Sequence, residues 1–176
     1  MLRRLIKTLE AMIEYVKGLV YGFEPPLVKD RERVVPATEG VVLLPDADDG
    51  YSTLSGRILY IEDNLMNLQL MEGIVSLCDG LSLISAHNAE LGLLIAEKYM
   101  PDLIILDINL PGMSGFETLE KLKEMNIVPA IPAIALSAAA NEEDVAKGLE
   151  AGFEKYLIKP MGVLDILQTI KSALAN

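Results

Sequence analysis

The chain has 176 residues, the length of one ordinary domain with a segment to spare. Its net charge of −11 excludes the basic footprint of a nucleic-acid binder, and its 51% apolar content excludes a disordered chain and suffices for a core. One cysteine, Cys78, and one histidine, His87, exclude an internal disulfide, a Cys-based zinc site and a multi-His metal centre.

In chain order, residues 1–23 come first. Leu2, Leu5, Leu9, Met12, Val16, Leu19 and Phe23 recur at alternating spacings of three and four, with Ile6, Ile13 and Val20 widening the stripe. That is a heptad seam, and a helix with so apolar a face must bury it. Packing on its own domain, pairing with a second copy and lying on a membrane surface are the three solutions; Glu10 and Glu14 disfavour anionic lipid, so residues 2–23 are a candidate homodimerisation element. Arg3 and Arg4 resemble the start of a signal peptide, but Lys7, Glu10, Glu14 and Lys17 break the apolar run that should follow. No stretch approaches the ~20 apolar residues of a membrane span, so a cytoplasmic location without a membrane partner is expected.

Residues 24–55 have the composition of a linker. Pro25, Pro26, Pro36 and Pro45 resist helix, and the charged runs Lys29–Arg33 and Asp46–Gly50 favour solvent, with Val41–Leu44 a short apolar run that could dock elsewhere. Residues 56–176 then hold 8 basic and 17 acidic residues, so most of the negative charge belongs to this part.

From Arg57 onward strand and helix signals alternate. Ile58–Ile61 is a strand, and Asn64 caps a helix through Leu77. Leu81–Ser85 is a second strand, followed by a helix from the Asn88 cap to Tyr99. Leu103–Leu106 is the most continuous apolar run and should be a central strand covered on both faces. Ser114 caps a helix to about Met125; Ile134–Leu136, a helix from Asn141 to near Gly152, Tyr156–Ile158 and a helix over about Val163–Ala173 complete the series. Such alternation predicts a doubly wound α/β fold, a five-stranded parallel sheet with helices on both faces.

Ligands of such sheets sit at the carboxyl ends of the strands. Strand one ends in Glu62 and Asp63, strand three in Asp107, strand four in Ser137 and strand five in Lys159. Singly, each is an ordinary loop or cap residue; their agreement at successive strand ends carries the signal. Three crowded carboxylates need a compensating cation, and oxygen-only ligands suit Mg²⁺. A metal and an ammonium side by side attract a phosphoryl group. Asp107 is best placed as the nucleophile, giving an aspartyl phosphate, with Mg²⁺ and Lys159 neutralising the transferring oxygens and the Ser137 hydroxyl donating to the group once it has arrived.

With these residues in view, residues 57–174 resemble the receiver domain of two-component response regulators. The matching segments are Ile58–Asn64 (ILYIEDN), Pro101–Glu117 (PDLIILDINLPGMSGFE), Ile134–Ala138 (IALSA) and Ala151–Pro160 (AGFEKYLIKP). The resemblance implies a CheY-like, flavodoxin-like sheet in the order 2-1-3-4-5. It implies Asp107 as phosphoacceptor, Asp63 as direct Mg²⁺ ligand, Glu62 as a ligand through water, and Asn109 as a ligand through its backbone carbonyl. Ser137 would be the switch hydroxyl, Tyr156 the aromatic that turns inward with it, and Lys159 the partner of the phosphoryl group, followed by a cis bond to Pro160. The donor would be a phosphohistidine on a histidine kinase or a histidine phosphotransfer protein. Glu62 stands where Asp is commoner. His87 is expected in a loop away from the site, and Cys78 as a small buried hydrophobe.

A self-phosphorylating and self-dephosphorylating signalling domain is therefore expected, not a turnover enzyme. It would act through an output partner, as a stand-alone regulator, as the C-terminal receiver of a hybrid histidine kinase, or as a dimerising adaptor. A haloacid-dehalogenase-like phosphatase is the remote alternative, but it needs a second acid where Asn109 stands. A flavodoxin-like carrier would place phosphate against Glu62 and Asp63, which repel it.

Overall fold

A computed structural model describes residues 54–138 and 141–175. The heptad segment 2–23, nearly all of the Pro-rich stretch, and the small residues at 139–140 lie outside the described residues.

The elements alternate as expected. The strands are β1 (Ser55–Ile61), β2 (Gly80–Ala86), β3 (Leu103–Asp107), β4 (Ala133–Ser137) and β5 (Lys155–Ile158); the helices are α1 (Leu65–Val75), α2 (Ala89–Tyr99), α3 (Gly115–Glu124), α4 (Glu142–Ala151) and α5 (Val163–Leu174). They form one parallel sheet in the order β2-β1-β3-β4-β5. Every residue of β3 is buried, as its unbroken apolar run required.

Pleating sorts the core into two layers. Ile58, Tyr60, Leu103, Ile105, Ile134 and Leu136 face α1 and α5, meeting Met71, Ile74, Ile166 and Ile170. Leu59, Ile61, Ile104, Leu106 and Ala135 face the other way, towards Ala96 of α2, Leu119 and Leu122 of α3 and Phe153. Each of these buried aliphatic side chains contributes roughly 1.5–3 kcal/mol relative to exposure.

The four caps fall where the sequence places them. The side chains of Asn64, Asn88 and Asn141 accept from backbone amides of the first turns of α1, α2 and α4. Ser114 and Glu117 form a reciprocal capping box at α3: Glu117 N donates to Ser114 Oγ at 3.3 Å, and Ser114 N donates to Glu117 Oε2 at 2.9 Å. β1 begins at Ser55, three residues before the expected strand start at Ile58, because Ser55, Gly56 and Arg57 pair with Gly80, Leu81 and Ser82. α1 stops at Val75, short of Leu77, where Leu77 N turns back to Ile74 O in a tighter bond. The Lys159–Pro160 bond is cis as expected; so is Val128–Pro129, which the sequence reading did not anticipate. Cys78 is buried and His87 exposed. No helix among the described residues is long and apolar enough to cross a membrane.

The capping box yields a pH prediction. Bonds donated by the Ser114 amide and hydroxyl hold the Glu117 carboxyl below its ordinary range. A lowered folded value means that its stabilisation is present above the unfolded pKa and is lost as pH falls through the folded one. Thermal melts of Glu117→Gln should lie below wild type at pH 7, and the gap should close as the pH falls below about 4.

Candidate functional site

The sheet register explains how distant residues meet. Glu62 follows Tyr60 by two positions, Asp107 follows Ile105 by two, and Lys159 follows Leu157 by two. Tyr60, Ile105 and Leu157 all belong to the layer beneath α1 and α5, so the pleat carries all three polar residues to that same face at the carboxyl edge. Tyr60 pairs directly with Ile105 across β1 and β3.

The side chains converge there. Lys159 Nζ donates to Glu62 Oε2 at 2.5 Å and to Asp107 Oδ2 at 2.6 Å. Glu62 is 1% exposed and Asp107 5%, whereas Asp63 is exposed. Glu62, Asp63 and Asp107 each offer a carboxylate oxygen, and these lie within 4.8 Å of one another. The remaining polar bonds come from backbone and core: Asn109 N donates to Asp107 Oδ1 at 2.9 Å, Asn64 N to Glu62 Oε1 at 3.2 Å, and the Tyr60 hydroxyl to Glu62 Oε2 at 2.7 Å.

Local sequence makes this geometry available. Gly115 opens α3 against the end of β3, where a Cβ would stand 2.5 Å from Asp107 O. Any side chain at 115 would push the loop off the phosphoacceptor candidate. Lys159 is tied in by its own amide, which donates to Ser137 O at 2.7 Å.

The electrostatics follow from burial and crowding. Burial raises the Asp107 carboxyl above the ordinary carboxylate range; Lys159 and the Asn109 amide pull it down, while Glu62 pushes it up. Burial alone would lower Lys159, but the Glu62 and Asp107 carboxylates outweigh it and hold the ammonium above the usual lysine value. One ammonium among three carboxylates leaves a formal excess of two negative charges. The donor set is all oxygen, closely spaced and anionic, so it fits a hard divalent cation such as Mg²⁺.

Ser137 and Tyr156 occupy the other face. Tyr156 pairs with Ala135, and Ser137 lies two positions beyond Ala135, so the pleat places both towards α2, α3 and α4. Ser137 is buried. Tyr156 is half-buried against α4, where a Cβ on Gly148 would stand 2.3 Å from Tyr156 Cδ2. Asn109 is exposed and enters the cluster through its amide. The sequence reading missed the Tyr60 hydroxyl; its signal was a polar-tipped aromatic two positions before Glu62 in an otherwise aliphatic stretch.

The profile of the response regulator receiver domain matches residues 58–171. The chain belongs to that family. It is thus a receiver domain of two-component signalling, a class that works with histidine kinases or phosphotransfer proteins and typically binds Mg²⁺ at an acidic cluster. The receiver is 38% identical over 120 residues to the nitrate/nitrite response regulator protein NarL of Escherichia coli K12, spanning 68% of this chain and 55% of that protein's length. It is 34% identical to the polar-differentiation response regulator DivK of Brucella anthropi, spanning 68% of this chain and 96% of that one. The crystal structure of a CheY-like receiver domain protein from Methanospirillum hungatei superposes with a TM-score of 0.63 at 31% identity, covering 69% of this chain and 95% of that one.

Charge crowding at Asp107 predicts a stability gain on neutralisation. Because the folded value is raised, the stability linked to this group is full below the ordinary carboxylate pKa and is lost as pH rises through the folded value, leaving ionised Asp107 a cost at pH 7. Asp107→Asn should raise Tm in chelator at neutral pH. An unchanged or lowered Tm contradicts the crowding.

Proposed function

We propose that the receiver takes a phosphoryl group from a phosphohistidine donor onto Asp107 with Mg²⁺, and that the modification changes which proteins it contacts. The supporting observation is Lys159 Nζ bonded to both Glu62 and Asp107 beside three clustered carboxylates. One Asp107 oxygen forms the bond to phosphorus as the donor's P–N bond breaks and the imidazole departs. Asp63, Glu62 through water, Asp107 and the Asn109 carbonyl are the residues assigned to Mg²⁺. When bound, Mg²⁺ neutralises charge on the transferring phosphoryl oxygens.

The chain's own groups do the rest. The Asn109 amide fixes the Asp107 carboxylate in orientation. Lys159 leaves Asp107 Oδ2 for a phosphoryl oxygen, exchanging one charge-assisted bond for another. The Ser137 hydroxyl donates to a second phosphoryl oxygen, and Tyr156 repacks in its seat beside Gly148 on the same face of the neighbouring strand. That motion alters the surface of α4, β5 and α5, which is the surface assigned to the output partner.

Incubation with acetyl phosphate and Mg²⁺ followed by intact-mass measurement checks the reading. The mass should rise by one phosphoryl group, Asp107→Asn or a chelator should abolish the rise, and Lys159→Ala should slow it by at least about tenfold. Phosphorylation that survives Asp107→Asn at full rate would place the acceptor elsewhere.

A further inference from the structure

The geometry points to Tyr60 as a positioning residue that holds Glu62 at the metal site, an inference that rests on the Mg²⁺ reading above. Tyr60 is 2% exposed, its ring packed in the layer beneath α1 and α5. A buried phenol hydroxyl needs an acceptor, and here the acceptor is a site carboxylate: Tyr60 Oη donates to Glu62 Oε2 at 2.7 Å.

Three donors reach Glu62, and they are not equivalent. Lys159 is shared with Asp107 and is the group that must move when a phosphoryl group arrives. The Asn64 amide is the longer bond, at 3.2 Å, and belongs to the cap of α1 at an exposed corner. Tyr60 is anchored in the core and keeps its bond whichever way Lys159 turns. The need for such an anchor comes from Glu62 itself: it has one more rotatable bond than aspartate, and that freedom must be frozen for its carboxylate to face the metal. An aspartate at 62 would be one methylene shorter and would draw its oxygens away from the Tyr60 hydroxyl. Tyr60 and Glu62 therefore act as a pair.

Calorimetric Mg²⁺ titration of the full chain tests the pair in four proteins: wild type, Tyr60→Phe, Glu62→Asp and the double variant. Phenylalanine fills the same space, and the unfolding midpoint of each protein is read in the same samples. Tyr60→Phe should weaken Mg²⁺ binding about tenfold when Glu62 is present and by less than twofold when Asp stands at 62. Equal losses in both backgrounds, as a purely structural contribution would give, overturn the inference, and so does a Tyr60→Phe affinity within twofold of wild type. If the wild-type protein takes up no Mg²⁺, the metal reading itself fails and the role of Tyr60 fails with it.

Discussion

The ammonium of Lys159 is the tie between the two halves of the site. It bonds Glu62 from β1 and Asp107 from β3, although 97 and 52 residues separate it from them in the chain. Without it, two buried carboxylates would face each other uncompensated, at a cost of several kcal/mol for the unpaired charges. With it, the site remains two charges short of neutral, because Asp63 joins the cluster from the exposed side. That shortfall suits a hard divalent cation, which oxygen-only carboxylate ligands favour.

The sheet supplies the precision. Five strands aligned in parallel put their carboxyl ends on one edge, and the pleat sorts that edge into two faces. Glu62, Asp107 and Lys159 follow the layer beneath α1 and α5; Ser137 and Tyr156 follow the opposite layer. The phosphoacceptor candidate and the switch candidates thus follow opposite layers but end at one carboxyl edge on adjacent strands: Asp107 pairs with Leu136, the residue before Ser137, and Lys159 N donates to Ser137 O. Lys159 and Tyr156 share β5 and its exit, and β5 pairs with the β4 strand that ends in Ser137.

Much of this was legible from local chemistry. Asn64, Asn88, Ser114 and Asn141 mark helix starts because a cap depends on a side chain and amides two or three residues away. The central strand showed itself because burial on both faces leaves no polar residue in Leu103–Leu106. The polar start of β1 was hidden because Ser55 and Gly56 pair with β2 without contributing apolar signal. Asp107 and Lys159 were found by reading strand ends, but the bonds from Lys159 to both Glu62 and Asp107 needed the register. The Tyr60–Glu62 bond was invisible to apolar counting, which treats tyrosine as core filler and ignores the hydroxyl. The second cis bond, Val128–Pro129, left no mark in the pattern at all.

Paramagnetic broadening by Mn²⁺, a substitute for Mg²⁺, tests most directly whether the strand ends form one site. In amide NMR spectra of the full chain, substoichiometric Mn²⁺ should first erase the signals of residues 62–64, 107–109 and 159, drawn from the ends of three strands at once, while those of the amino end of β2 and the carboxyl ends of α2 and α5 persist. Broadening confined to one of these segments, or strongest at the acidic start of α4 around Glu142–Asp144, would contradict a single metal site built from Glu62, Asp63 and Asp107.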